Sequence, residues 1–325
     1  MKHDAARAIL YLAFLLGSTI GLASTADSTS TAARPPAVAT AGPKRPANVP
    51  SEYVITPFGY FHPSCVQSLS TGERLLRDGR LQHADGTSSR TTAVCHYPRY
   101  THSGSLVRKP ISPAEVIGWI ENANVTTGSA TTSYGALKAI WTVPPHPAED
   151  IGQILFFYPG FQDINDANTS ILQPVLRWYR GQWDIESWNC CLNNIIHQST
   201  QVNVKPGDEI YGSITSTCPP GTLSCSVWNV LTLDLSSGQS TTLADTPSDG
   251  QVFNWAFGGV MEPYYVVSCA DYPPNQYLNF DNVAIFDQNL NPVSSPKWSV
   301  VANTTATPQC HYGVVTQPDR ITLQY

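Results

Sequence analysis

One carboxylate, Glu262, stands in the stretch 258–274 (GGVMEPYYVVSCADYPP) among Met261, Pro263, Tyr264, Tyr265, Val266 and Val267. A carboxyl stripped of water holds its proton more tightly, which moves it toward the range useful for general acid/base work. A second residue, Gln173, follows Ile171 and Leu172 inside the apolar run 171–179. A neutral amide in such a strand either satisfies backbone groups or donates to a developing oxyanion. Together the two could hydrolyse an amide bond without a metal or a strong nucleophile. Glu262 would take a proton from water and return it to the leaving amine, and Gln173 would hold the water and donate to the tetrahedral oxygen. A third acid, Glu186, lies in the segment 183–191 (WDIESWNCC), where Trp183 and Trp188 are either core residues or walls of a substrate cleft. Paired with Glu262, it would be the second carboxylate of a glycosidase.

Strands would have to position these groups. Residues 261–267 read as a strand whose faces are both apolar apart from one charge. From Tyr134 onward, short apolar runs alternate with Gly, Pro, Asn and Asp at strand-and-turn spacing. Eleven such runs, among them 154–158, 171–179, 195–204, 252–257 and 264–269, predict an all-β body built as a two-sheet sandwich. Ahead of it, residues 51–112 read as a small module with turns at Asp78-Gly79 and Asp85-Gly86. A helix is expected over 112–122, with Pro113 in its first turn and Glu115 at the positive end of its dipole.

The composition fits an exported protein. Only 13% of the 325 residues are charged, against 42% hydrophobic, a balance typical of secreted β proteins. Residues 1–26 have the basic start, apolar centre and small-residue end of a signal peptide, and nothing later is long and apolar enough to span a membrane. Residues 27–50 are Ser, Thr, Ala and Pro, a disordered linker. The eight cysteines suit an oxidising destination. Cys218 and Cys225 bracket a short hairpin and Cys65 and Cys95 stand alone in the module, so each couple is expected to pair. Cys190, Cys191, Cys269 and Cys310 leave three connectivities open. Asn124, Asn168 and Asn303 begin possible glycosylation sequons.

Residues 27–112 carry ten Lys or Arg against five Asp or Glu, whereas 113–325 carry six against eighteen. A basic leading module on an acidic body has the charge pattern of an electrostatically docked prosegment, which low pH would loosen. A permanent accessory domain would show the same pattern. The acidic body excludes nucleic acid as a partner. Phosphate-loop, HExxH and GxSxG motifs are absent, and His146, His197 and His311 form no metal pattern.

The order Trp141-Thr-Val-Pro-Pro, the aromatic turn from Tyr158 to Asp163, Ile-Leu-Gln at 171–173, Val-Lys-Pro-Gly-Asp at 204–208, and a late strand with Trp255 and then Glu262 resembles the eqolisin family of glutamic peptidases. The resemblance covers 141–287 and rests on several weak motifs in register. It implies a concanavalin-like double-sheet antiparallel β-sandwich, an acid-active secreted endopeptidase made with a propeptide, and Gln173 and Glu262 as the catalytic pair, 89 residues apart. It also places Asp163 before the Gln strand and Trp188 near the active site. Trp141, Tyr158, Asp163, Trp183, Glu186 and Trp188 are thus the cleft candidates. The chain departs from the family in having Ala-Phe-Gly-Gly-Val-Met between Trp255 and Glu262, and WDIESWNCC for a Trp-Tyr-Glu-Trp segment. Gly258-Gly259 and the N-terminal module also resemble the neprosin glutamic peptidases. That family uses two Glu, and Glu186 would then replace Gln173. The expected protein is a monomer, with residues 113–325 as its catalytic domain. It needs no cofactor or metal, takes a polypeptide substrate, and has its own N-terminal segment as an inhibitor. The rival reading is a non-catalytic, carbohydrate-binding lectin-like sandwich.

Overall fold

The computed structural model describes residues 45–76, 78–91, 94–107, 118–165, 171–248 and 250–325. The expected signal peptide, residues 27–44 of the linker, Asn168 and residues 112–117 of the expected helix lie outside these. The remainder of that helix is not helical, because Glu121 and Asn122 open a strand. Residues 45–50, expected as linker, are ordered against the body, with Val49 only 4% exposed.

The leading part supplies six short strands, β1 (Val54–Thr56), β2 (Gly59–Phe61), β3 (Val66–Leu69), β4 (Arg74–Leu75), β5 (Arg80–Gln82) and β6 (Ser88–Arg90). The next seven are β7 (Glu121–Thr126), β8 (Tyr134–Thr142), β9 (Ile154–Gln162), β10 (Ile171–Tyr179), β11 (Gln182–Cys190), β12 (Ile196–Ser199) and β13 (Val202–Val204). The remainder are β14 (Glu209–Ser216), β15 (Val227–Asp234), β16 (Ser240–Pro247), β17 (Trp255–Tyr264), β18 (Tyr277–Asp287), β19 (Ser299–Ala302), β20 (Gly313–Thr316) and β21 (Ile321–Gln324).

These strands make the expected sandwich. One sheet runs β19-β7-β17-β9-β10-β11-β12-β3, with β13 also on β11, and the other runs β20-β21-β18-β8-β14-β15-β16-β4-β5-β6. Pairing is antiparallel except where the leading part joins each sheet, β3 on β12 and β4 on β16. Between the sheets lie Leu137, Trp141, Ile214, Val230 and Phe280 from one and Phe157, Leu172, Leu176, Ile185 and Met261 from the other. Alternation along each strand sends these side chains inward and their neighbours outward.

Much of the outward face of the first sheet is also buried. Residues 154–162 are buried throughout, as their unbroken apolar sequence demands. Tyr53, Phe58, Tyr60, Phe61 and Cys65 of the leading part pack there against Phe156, Tyr158, Val175, Trp188, Val260 and Tyr264. Each such large side chain contributes roughly 1.5–3 kcal/mol on burial. Among the described residues, only Arg74 to Asp245 links the leading part to the body by an ion pair, 47% and 41% exposed. Exposed pairs of this kind contribute about 0–1 kcal/mol. Apolar burial and strand pairing therefore hold the leading part on the sheet more than ion pairing does.

The sequence runs 252–257 and 264–269 were expected as two strands, yet one strand, β17, spans the interval and ends at Tyr264. Tyr265 then turns with φ 63, and Cys269–Asp271 forms a short 3-10 turn. The cysteines join as Cys65–Cys95, Cys218–Cys225, Cys190–Cys191 and Cys269–Cys310. The last two pairs resolve the connectivity that the sequence left open.

Candidate active site

Glu262 owes its direction to the two glycines before it. On β17 the register shifts between Phe257 and Gly259 against β7, and between Phe257 and Val260 against β9. The extra residue of this bulge leaves Phe257, Val260 and Tyr264 facing outward and Ala256 and Met261 inward. Glu262 shares the outward parity. Only glycine fits the bulge, since a Cβ on Gly259 would lie 2.6 Å from the Phe280 ring and one on Gly258 2.7 Å from Trp298. The departure from the eqolisin pattern is thus the device that aims the carboxylate.

The Glu262 side chain is fully buried, 0% exposed. The Tyr158 hydroxyl donates to its Oε2 at 3.0 Å and the Tyr264 hydroxyl to its Oε1 at 3.1 Å. Burial is the dominant influence and raises its pKa from 4.5 to about 8, against the opposing pull of both hydroxyls and of Gly118 and Trp119. Burial thus makes the carboxyl hold its proton above the ordinary carboxylate range. His102 packs on the neighbouring residues, with its ring 4.2 Å from that of Tyr264 and Nε2 2.6 Å from the Pro263 carbonyl. Gly118 has to be glycine beside this ring, because a Cβ there would meet it at 2.0 Å.

Gln173 lies on β10, on the same face. Its neighbour Leu172 pairs with Phe161, so Gln173 stands beside Gly160, whose missing side chain leaves room for the Gln173 Cγ. Glu262 is level with Phe156. The two are separated by one strand and by four residues along it, on the order of 15 Å between Cα atoms. Tyr158 stands between them on β9. The Gln173 amide eases ionisation of the Tyr158 phenol, whose pKa burial and Glu262 hold well above 10. Neither Nε2 nor Oε1 of Gln173 completes a hydrogen bond of ordinary geometry, although the residue is 0% exposed. The sequence reading gave the space between amide and carboxyl to a water; a tyrosine hydroxyl occupies it.

Glu186 serves a different cluster. Its Oε1 accepts from Arg177 Nη2 at 2.9 Å, and the same guanidinium is bonded to Asp184. Burial raises the pKa of both acids against the pull of Arg177. Glu186 on β11 is three strands from β17, roughly 14 Å. Its carboxyl is committed to Arg177 in that cluster.

The other cleft candidates divide by strand parity. Trp188 faces outward beside Gln173, with Phe58 packed on it at 6.3 Å. Trp141 and Trp183 were expected as cleft residues but point inward and fill the core between the sheets, against Phe280 and against Phe157 and Trp178. Asp163 accepts from the backbone N–H groups of Asn165 and Val252, which fixes a loop away from Glu262. Sequence reasoning passed over Tyr264, Trp119 and His102. Tyr264 was legible, two residues from Glu262 and so on the same face of a strand; the other two arrive by tertiary contact. Among the described residues no group of three His, Cys, Asp or Glu could hold a metal, and no helix is long and apolar enough to cross a membrane.

No protein-family model matches the chain, and no curated protein matches it. Among solved structures, scytalido-glutamic peptidase with a transition-state analogue inhibitor is similar at a TM-score of 0.47 and 15% identity, over 64% of this chain and 98% of that one. SCP-B, a member of the eqolisin family in complex with the tripeptide Ala-Ile-His, gives 0.43 and 16% over the same shares. Aspergilloglutamic peptidase from Aspergillus niger gives 0.35 and 16%, over 53% of this chain and 98% of its own. Likenesses of this strength leave the chemistry to be argued from the site.

Proposed function

We propose that the chain is an exported, latent acid peptidase of the glutamic type, closed by its own leading residues. One observation carries this reading. A fully buried carboxyl, Glu262, is held by two tyrosine hydroxyls on the same sheet face as a buried amide, Gln173, beneath the leading part of the chain. The eqolisin resemblance of the sequence supports it.

Removing the cover returns water to the face. The desolvation that lifts Glu262 then disappears, and its pKa falls toward the ordinary carboxylate range. The ionised carboxylate takes a proton from water as the oxygen bonds to the substrate carbonyl carbon. Hydrogen bonds from the Gln173 amide and the Tyr158 hydroxyl stabilise the tetrahedral oxygen. Glu262 then returns the proton to the amide nitrogen as the C–N bond breaks, so no metal is required.

The test is hydrolysis of a denatured protein over about pH 3 to 8, before and after limited proteolysis that frees the leading part. Turnover is expected only after release, on the acid side, and to fall by about 10²–10⁴ in Glu262→Gln. Released protein that binds an oligosaccharide equally well with Glu262→Gln, and turns over no peptide at any pH, would establish the lectin-like reading instead.

A further inference from the structure

The cover does not fill the whole outer face. Beside the Glu262 site a cavity of about 710 Å³ remains between residues 51–68 and the sheet, floored by Phe156, Arg177, Tyr179 and Trp188. Its lining carries three arginines against one acid, although Arg177 is itself ion-paired to Asp184 and Glu186. Arg177 and Arg180, two of the six basic residues in the acidic body, line it together with Arg45 from the cover. Glu52, on the exposed side of the cover, is the acidic residue in its wall.

The two body arginines are arranged as a clamp. They flank the Tyr179 ring, Arg177 Cζ at 5.0 Å and Arg180 Cζ at 4.8 Å from its centroid. Arg177 is anchored from behind by Nε and Nη2, which bond Asp184, Glu186 and Gln201, and Nη1 takes part in none of these bonds. Arg180 makes no ion pair among the described residues. A guanidinium pre-oriented by buried acids, with a second, unpaired guanidinium across one ring, suits a planar carboxylate.

We propose that the sheet side of this cavity, with Arg177, Tyr179 and Arg180, is a specificity subsite for a carboxylate of the peptide substrate once the leading part has left. The inference rests on the peptidase reading for its substrate class. Arg177 is level with Phe156 on β9, and Phe156 with Glu262 on β17, so carboxylate and reacting bond lie about 10 Å apart along one row of the sheet. At about 3.3 Å per extended residue that is some two to three residues. The carboxylate can belong to the chain's C-terminus or to an Asp or Glu side chain at that separation.

Calorimetric binding to the chain carrying Glu262→Gln, after the limited proteolysis that frees the leading part, separates this proposal from the catalytic one. Three probes of matched sequence are compared: a tetrapeptide with a free C-terminus, its C-terminal amide, and an amidated peptide with an internal Asp. The carboxylate-bearing probes should bind more tightly than the plain amide, and Arg180→Gln, at an exposed turn position, should weaken only them, by about tenfold. A preference for the free C-terminus identifies a terminal carboxylate, and equal binding of the Asp peptide identifies a side chain. Equal binding of all three, no binding of any, or no effect of Arg180→Gln overturns the subsite. A carboxylate preference in a protein that never hydrolyses peptides would uphold the subsite and reject the peptidase reading.

Discussion

At the scale of single residues, the Tyr158 hydroxyl stands where a Gln/Glu pair needs a shared donor. It bonds the Glu262 carboxyl directly and feels the Gln173 amide. Tyr158→Phe removes one of the groups that lower the Glu262 pKa, so in the intact chain that pKa should climb above about 8. In released enzyme the same change removes an oxyanion donor, and kcat should fall about 10²-fold. Tyr264→Phe also raises the carboxyl pKa but touches no part of Gln173, so its effect on kcat should be smaller. Comparing kcat and the pH profile of the two variants checks this, and equal losses would assign Tyr158 a merely structural part.

Among the elements, the bulge on β17 and the cover decide what the face can do. Deleting Gly258 would remove the extra residue and restore plain alternation, turning Glu262 in between the sheets and Met261 outward. Loss of activity with a drop in the denaturant midpoint is the expected outcome; retained activity would mean that the carboxyl's direction is set elsewhere. The cover depends on its own staple. Cys65–Cys95 closes a loop with a sequence separation of 30, and both residues are buried in the outer cluster. Replacing both by Ser should weaken the cover by about 2–4 kcal/mol, read as faster proteolysis of the leading part and earlier peptidase activity.

For the whole molecule, pH acts on the closed form through buried acids more than through surface charge. Glu262 and Glu121 both have pKa values raised by burial from 4.5 to about 8. Each is a group that binds its proton more tightly folded than unfolded. The stability this gives is therefore fully present below pH 4.5 and is lost as pH rises toward 8. Denaturant midpoints of the intact chain should fall between those limits, and Glu262→Gln should flatten the fall by a few kcal/mol, on the order of one per pH unit. Acid weakens the exposed Arg74–Asp245 pair but favours the neutral buried carboxyls, which is the larger effect. Low pH alone is thus expected to keep the cover closed, contrary to what the charge counts suggest, and opening falls to chain cleavage.

The sequence by itself determined the all-β class, the apolar setting of Glu262 and the Cys65–Cys95 and Cys218–Cys225 pairs, because alternation and short-range spacing are local properties of the chain. Only the tertiary structure decided that Trp141 and Trp183 belong to the core and Trp188 to the outer face. It alone paired Cys190 with Cys191 and Cys269 with Cys310, set Tyr158 between Gln173 and Glu262, and kept a cationic cavity open beneath the cover. Those outcomes depend on register between strands distant in sequence, where one extra glycine reverses the face of every residue that follows.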